Sequence, residues 1–532
     1  MRPPALVRLT GDPRALLAAT FASILALNAG VLTEPPVWDS AASIFPAALH
    51  LYQNGFDLFE LFQQPGYWQA GPNVHAYSIV THGTALVYLL TGGGPLTFPI
   101  LHLLHFGLAA VGLTSFFALA RRLVDEPRAL LLCLLVLVFP LFLTQTRYMY
   151  LEIPLFVCTV GALRGWIEER LLPSIAWSVL ATVIKEAGCV VGITVGVLWL
   201  LDRGTPRERL SRLALAIAPV AGFLLFHWTF ILGNADIQMG KSTLGPDFFR
   251  EAPVEVLRCW RNEFWIYLVQ IPDTATATLG ALLVGVAFLG TFWRERVARA
   301  AMALVLAFLG FHYVALPSTG MHCSVLPRYF VQILPFALLV LAWQLERHGG
   351  KTLLLGALLL GISYSWINRD GILYPSEINR HGAGANFAET ERSGAYRSLL
   401  QAERDGLKLL EQIPPEVPIY NELHHQYVVE RPLLGYVSRP LPNSSYVIPE
   451  FRKRGGDLRR FPPCFVINYF SPNLGGSVMR KIMAQADLRP LWHTAPLATT
   501  AVGPYRSILF KVWQQGTECL PGFRFRSPPA GR

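Results

Sequence analysis

The sequence predicts a polytopic α-helical membrane protein of about eleven transmembrane helices, with amphipathic helices in its first external loop and a soluble α/β domain outside at its C-terminus. Three observations lead there. Apolar residues make up 52% and charged residues only 15% of the 532 residues, where a soluble chain carries about 25% charge. The apolar residues fall in long unbroken runs bounded by Arg-containing turns. Lipid satisfies no backbone polar group, so only helices or closed barrels span it, and these runs are too long for barrel strands. From residue 369 onward Ser, Pro, Asn and charged residues increase, and no later run is long enough to span.

Taken in order, the expected crossings are 15–32, 96–119, 129–144, 152–167, 171–184, 187–201, 210–232, 278–292, 298–316, 329–345 and 353–367. A further run, 74–90, is short and carries His75, His82 and Gly83. Basic residues decide its placement. Arg2, Arg8 and Arg14 share a side with Arg121, Arg122, Arg128, Arg164, Arg170, Arg203, Arg294, Arg347 and Lys351 only if 74–90 does not cross. The positive-inside rule therefore makes that run an amphipathic or re-entrant helix at the outer face. An odd number of crossings leaves residues 1–368 as the membrane domain and 369–532 as an external domain. The first run, with Leu27 and Asn28 before Ala29, lacks a small-residue cleavage site and reads as an uncleaved anchor. Usage rich in Arg, Ala and Leu and poor in Lys points to a bacterial inner membrane, with the functional face periplasmic or extracellular.

The net charge of +10 is largely accounted for by the cytoplasmic turns. No run alternates basic and aromatic residues, so no nucleic-acid partner is expected.

In the C-terminal domain, 391–413 reads as a helix with Leu399, Leu400, Leu407, Leu410 and Ile413 on one face, stopped by Pro414 and Pro415. Segments 417–420, 464–470 and 507–512 have strand character and 477–486 looks helical, which gives a small α/β domain. Of the seven cysteines, Cys133, Cys158 and Cys189 serve as small apolar fillers in or beside spans. Cys464 and Cys519 share the external domain and either pair or stay free, since sequence gives no distances. His102 and His105 lie one turn apart in a span without a third ligand, a pattern of packed rather than metal-bound histidines. Gly350, Lys351 and Thr352 imitate the end of a P-loop, but Leu345 stands where its first Gly is required, so no nucleotide site is expected.

Charge near lipid is costly, about 2.5–3.5 kcal/mol at a helix centre, so charged groups at the outer helix ends mark the candidate site. The stretch from Glu34 to Leu96 holds four acidic residues and no Lys or Arg, and presents Asp39, beside Trp38, on the outer side. Ala41, Ala42, Ile44, Phe45, Ala48 and Leu49 follow with helical period, so Asp39 opens a helix along the membrane. Its competing role is a helix N-cap. Arg147, Tyr148, Tyr150 and Glu152 crowd a second outer turn. An Arg fork and flat Tyr rings suit a phosphate and a sugar, and equally suit the belt at the headgroups. Lys185 and Glu186 separate apolar stretches of only fourteen and fifteen residues. The ~20 residues of a comfortable span are lacking there, so the two charges should sit below the outer surface. They are either functional or a self-neutralised pair. Arg328 and Tyr329 open the tenth crossing ahead of Pro335. The outer loop 233–271 mixes Asp236, Lys241, Arg258, Trp260, Arg261, Glu263 and Trp265 in a way suited to covering a site.

In order and sidedness these motifs resemble the membrane-embedded C-type glycosyltransferases that use polyprenyl-phosphate sugars, including protein O-mannosyltransferases and lipid A aminoarabinose transferases. The resemblance covers roughly residues 10 to 370 and rests on Trp38–Asp39, on Phe139-Pro140-Leu141 leading to Tyr150-Leu151-Glu152-Ile153-Pro154, on Lys185–Glu186, and on Arg328–Tyr329 with Pro335. It implies that Asp39 is the catalytic base, that Glu152 assists it, and that Lys185 and Arg328 hold the lipid phosphate. Ser40 stands where many relatives place a second acid, and the usual His with two prolines is reduced to Pro72 and His75.

The implied reaction moves a monosaccharide from a polyprenyl-phosphate donor to a hydroxyl of a glycan, lipid or protein acceptor, with inversion. Arg147, Lys185, Arg328 and Tyr329 would serve the phosphate, and Trp38, Tyr148, Tyr150, Glu186 and His75 the substrate. Metal use varies across the resembled superfamily and stays open: Asp39 and Glu152 are hard ligands that accept Mg²⁺ or Mn²⁺. Two rival readings belong to other classes. A lipid or sugar transporter would often show internal repeats with interrupted helices, and none is found. A non-catalytic envelope-assembly protein would need none of these charged positions.

Overall fold

The computed structural model describes residues 11–36, 40–57, 77–226, 295–311, 331–348, 395–421, 426, 428–471, 491–502 and 505–525. The chain divides into two compact units. One takes in the described residues up to 348 apart from Glu34–Pro46, and the other joins Glu34–Pro46 to the described residues from 395 on.

The first unit is helical: α1 Pro13–Asn28, α2 Phe45–Gln53, α3 Ile79–Thr91, α4 Thr97–Ala120, α5 Glu126–Val138, α6 Pro140–Arg147, α7 Glu152–Ile167, α8 Leu171–Ile184, α9 Cys189–Leu200, α10 Pro206–Phe226, α11 Arg296–Gly310 and α12 Leu334–His348. Among the described residues three helices are long and apolar enough to cross a membrane: Pro13–Val31, Thr97–Ala120 and Pro206–Phe226. The expected crossings 278–292 and 353–367, and the loop 233–271, lie outside the described residues.

One expected crossing differs in form. Residues 129–144 are not a single rod, because α5 and α6 meet at 60°. Pro140 opens α6 and Phe139 before it is extended, with φ −64° and ψ 124°. Proline lacks an N–H and drives its predecessor out of the helical region, which is the cause of the bend.

The core of the bundle is α7, which packs on α4 and α8, while α9 packs on α10. Glycine permits the closest approach: a Cβ on Gly165 would lie 2.7 Å from the Ser174 nitrogen, so α7 and α8 meet backbone to backbone.

The predicted cytoplasmic turns gather at one end of this bundle. Glu168 receives Arg164 at 2.7 Å, Arg122 at 3.3 Å and Arg170 at 3.8 Å. Arg296 bonds Asp202 and the Trp166 carbonyl, each at 2.8 Å, with its guanidinium 4.4 Å above the Trp166 ring. The opposite end holds both ends of α3. The Ser78 hydroxyl, which caps α3, donates to the Ile184 carbonyl at 2.8 Å, and the Thr91 and Thr97 hydroxyls are 2.6 Å apart. Thr97 starts the helix whose far end reaches Arg121. α3 therefore begins and finishes at the end of the bundle away from the arginines.

The second unit carries a five-stranded sheet in the order β2-β1-β3-β5-β4. Its strands are β1 Ile419–Asn421, β2 Ser444–Tyr446, β3 Cys464–Ser471, β4 Trp492–Val502 and β5 Tyr505–Gln514. β1 is parallel to β2 and β3, whereas β3 with β5 and β4 with β5 are antiparallel. The predicted helix appears as α13 Ala395–Leu410, with Leu400, Leu407 and Leu410 buried, and it packs on β4 and β5. A second helix, α14 Val447–Lys453, contributes Val447 and Phe451 to a core with Tyr420, Phe461, Phe465 and Trp492. Cys464 and Cys519 form a disulfide. β2 and β4 were not expected from sequence, and the expected helix 477–486 lies outside the described residues.

Candidate functional site

Glu152 begins α7, and Lys185 follows the last residue of α8 with extended backbone, φ −155° and ψ 147°. Because α7 and α8 pack side by side in opposite directions, these two ends meet. The Lys185 ammonium donates to Glu152 Oε1 at 2.6 Å, and the residues are only 6% and 2% exposed. The helices that carry them have 16 and 14 residues, about 24 and 21 Å at 1.5 Å per residue. The hydrocarbon of a bilayer is ~30 Å thick. Both helices are shorter than that thickness, and the pair stands at their ends away from the arginines.

The backbone turns here as a short 3₁₀ helix, Glu186–Gly188. A Cβ on Gly188 would collide with the Ala181 carbonyl, so only glycine closes the turn against α8. Glu186 accepts a hydrogen bond from the Tyr77 hydroxyl at 3.2 Å, and the Tyr77 ring packs edge-on to Phe223 at 4.9 Å. Lys185 thus bonds α7, and Glu186 bonds the approach to α3.

The turn 147–151 is anchored from α1. Arg147 donates through Nε to Asn28 Oδ1 at 2.6 Å and through Nη2 to the Leu27 carbonyl at 3.2 Å. Asn28, 1% exposed, is fixed in turn by donating to the Ile24 carbonyl at 2.8 Å. Tyr148 and Tyr150 are both buried, with ring centroids 6.3 Å apart. That enclosure differs from a belt at the headgroups. Between them Met149 adopts φ 53°, a left-handed conformation unusual for a side chain of its size.

The structure thus brings Glu152 to Lys185, joins Glu186 to Tyr77, and ties Arg147 to Asn28. Trp38, Asp39, His75, Arg328 and Tyr329 lie outside the described residues. Asn28, Tyr77 and Ser78 were missed by sequence reasoning. The signal for them was faint: one amide at the end of the first apolar run, and two hydroxyls where 74–90 begins. His102 and His105 are buried in α4, with His102 beside Phe106 at 5.8 Å. Among the described residues no three His, Cys, Asp or Glu side chains come together as a metal site. A cavity of about 230 Å³ lined by Ser115, Gly161, Arg164, Glu168 and Trp177 lies at the arginine-rich end, away from Glu152 and Lys185.

No family model and no curated protein matches the chain. Among solved structures it is similar to ArnT from Cupriavidus metallidurans in the apo state, at 14% identity over 93% of this chain and 97% of that one, with a TM-score of 0.50. The same ArnT bound to undecaprenyl phosphate gives 14% identity, the same coverage and a TM-score of 0.49. The Archaeoglobus fulgidus oligosaccharyltransferase, in complex with zinc and sulfate, gives 13% identity over 80% of this chain and 62% of that one, with a TM-score of 0.43. At such identities the likeness is one of fold. The chain shares the fold of ArnT.

Proposed function

We propose that the protein is a glycosyltransferase that moves a monosaccharide from a polyprenyl-phosphate donor to an acceptor hydroxyl on the outer face of the membrane. One observation carries the reading: a buried carboxylate and ammonium, Glu152 and Lys185, meet at 2.6 Å at the end of the bundle opposite the arginines. Buried charge within an apolar bundle is seldom kept without use. The ArnT-like fold supports the same class of reaction.

In this reading Asp39 is the general base. It removes the proton of the acceptor hydroxyl as that oxygen attacks the anomeric carbon. The bond from that carbon to the phosphate oxygen breaks, and polyprenyl phosphate departs with the electron pair. Attack from the far side inverts the centre, and no covalent enzyme intermediate forms. The leaving phosphate gains negative charge, so fixed cations accelerate its departure. Lys185 and Arg328 supply them, with Tyr329 as a further donor. Glu152 holds the Lys185 ammonium in one position, as the 2.6 Å contact indicates. Arg147, bonded to Asn28 and Leu27, braces the turn whose Tyr148 and Tyr150 rings wall the sugar. Trp38, His75 and Glu186 complete the substrate contacts.

Glu152 already engages Lys185 through Oε1, and the described residues do not by themselves compose a divalent-cation site. No step is assigned to a metal. The Cys464–Cys519 disulfide favours an oxidising compartment for the second unit, consistent with eleven crossings and an external C-terminus. The acceptor is a glycan, lipid or protein hydroxyl.

The test is turnover by purified protein in lipid nanodiscs. Release of undecaprenyl phosphate from a panel of undecaprenyl-phosphate pentoses and hexoses should depend on Asp39 and Lys185. Loss of roughly 10²-fold or more in kcat is expected for Asp39→Asn, the range for removing a general base. Undiminished turnover in that variant would reassign the base, and no turnover with any donor would reject the transferase reading.

A further inference from the structure

The approach to Asp39 belongs to the C-terminal unit rather than to the bundle. Within that unit Tyr436 is 1% exposed, and its hydroxyl donates to the Pro36 carbonyl at 2.7 Å across 400 positions of sequence. Pro35 and Pro36 are both buried, and each has a fixed φ and no N–H. The carbonyl is the one backbone hydrogen-bonding group Pro36 has, and Tyr436 takes it. On the far side of Asp39 the chain is again enclosed: Ser40, Ala41, Ile44 and Phe45 are exposed by 2% or less. Burial raises the Tyr436 phenol well above its ordinary pKa, with Glu403 and Glu34 adding to the rise and Arg404 opposing it. It therefore stays protonated, and remains a donor, throughout the physiological range.

We propose that Tyr436 is a positioning residue for the transfer reaction: its phenol clamps the stiff Pro35–Pro36 stalk from which Asp39 follows three residues later. This rests on the reading of Asp39 as general base. A hydroxyl-to-carbonyl bond is well suited to the task, because a buried donor left without its acceptor is penalised and so resists slippage.

The experiment uses the full-length protein in nanodiscs and the variant Tyr436→Phe, which keeps the ring and deletes only the donor. Hydrogen exchange in peptides covering 34–46 should accelerate while β3 and β5 stay protected. With undecaprenyl-phosphate pentoses and hexoses as donors, kcat should fall roughly 10- to 100-fold, the cost of a misplaced reacting group, with donor KM unchanged within about twofold. Unchanged exchange over 34–46, or protection lost evenly across the whole unit, overturns the proposal. Faster exchange with kcat unchanged also overturns it. If Tyr436→Phe does not fold, Pro36→Gly loosens the same stalk without touching the phenol and should give the same split, and an unaltered kcat there is equally fatal. Asp39→Asn, measured in parallel, keeps the two questions apart. Full turnover in that variant removes the base assignment, whereas the exchange data still judge the clamp.

Discussion

Removing either half of the Glu152–Lys185 pair leaves the other charge buried without that counterion, at a cost of about 3–5 kcal/mol. Glu152→Gln and Lys185→Met should each lower the melting temperature of the purified protein. The double variant removes both charges, so it should regain most of the stability and none of the turnover. Singles as stable as the parent would show that the pair is not closed to solvent. A second prediction concerns Glu168, whose carboxyl is held below its ordinary value, first by the Arg164 hydrogen bond, which outweighs the opposing effect of burial, and further by the charges of Arg164, Arg122 and Arg170. A depressed carboxyl stabilises fully above its unfolded value, and this contribution disappears as pH falls through the folded one. Its arginine partners are largely solvent-exposed, so the effect is modest. Melting temperature measured from pH 6 down should fall less steeply in Glu168→Gln than in the parent. Lys185 was legible in the sequence because a charged dipeptide interrupts two apolar runs. Glu152 was legible too, as the acid of a second turn, but their pairing was not, since 33 positions separate them and only the packing of α7 on α8 brings them together. Uncharged Asn28 and Tyr77 stand at the edges of apolar runs, where a polar residue carries no periodic signal.

Helices were legible wherever apolar length and a stop signal coincided, as in α4, α7 and α8. The sequence also suggested that 74–90 would not run the length of the bundle, and the hydrogen bonds at both ends of α3 agree. Hydropathy averages over a break, so the 60° bend at Pro140 was lost in one continuous apolar stretch. β4 was missed for a different reason. Its sequence from Trp492 to Val502 is rich in Thr and Ala, contains Pro496, and shifts register between Pro496 and Ala498, so it lacks the two-residue alternation that marks a strand. At this scale the turn after α8 is the most sensitive. Gly188→Ala should dislodge the 3₁₀ turn and with it Lys185, lowering both melting temperature and turnover, whereas Gly83→Ala in α3, where the added carbon meets nothing, should change neither. Equal effects from the two would mean that crowding at Ala181 does not matter.

For the molecule entire, the proposed topology puts the disulfide and the arginine network in different compartments. A 55-residue separation between Cys464 and Cys519 predicts a loss of about 2–4 kcal/mol from the second unit when the bond is removed. Denaturant unfolding of Cys464→Ser with Cys519→Ser against the parent measures it. Sidedness is checked with single cysteines in a background where Cys259 and Cys323 are serine. Lys408→Cys on α13 should react with an impermeant maleimide in intact cells, and Arg203→Cys only after permeabilisation. Reaction of both from the same side would overturn the eleven-crossing topology.

The shortness of α7 and α8 has a further bearing on which molecules can react. In the proposed reaction, with α7 starting at the inner headgroup plane, its shortfall of about 6 Å against ~30 Å of hydrocarbon would leave a floor below the outer plane that acts as a depth filter. A sugar tethered to an isoprenoid tail reaches it by sliding sideways within the leaflet, its greasy part never leaving oil. A nucleotide sugar arriving from water would have to shed its hydration shell to descend as far. Chain length in two helices, more than any single contact, would then select membrane-borne cargo over the far more abundant soluble kind.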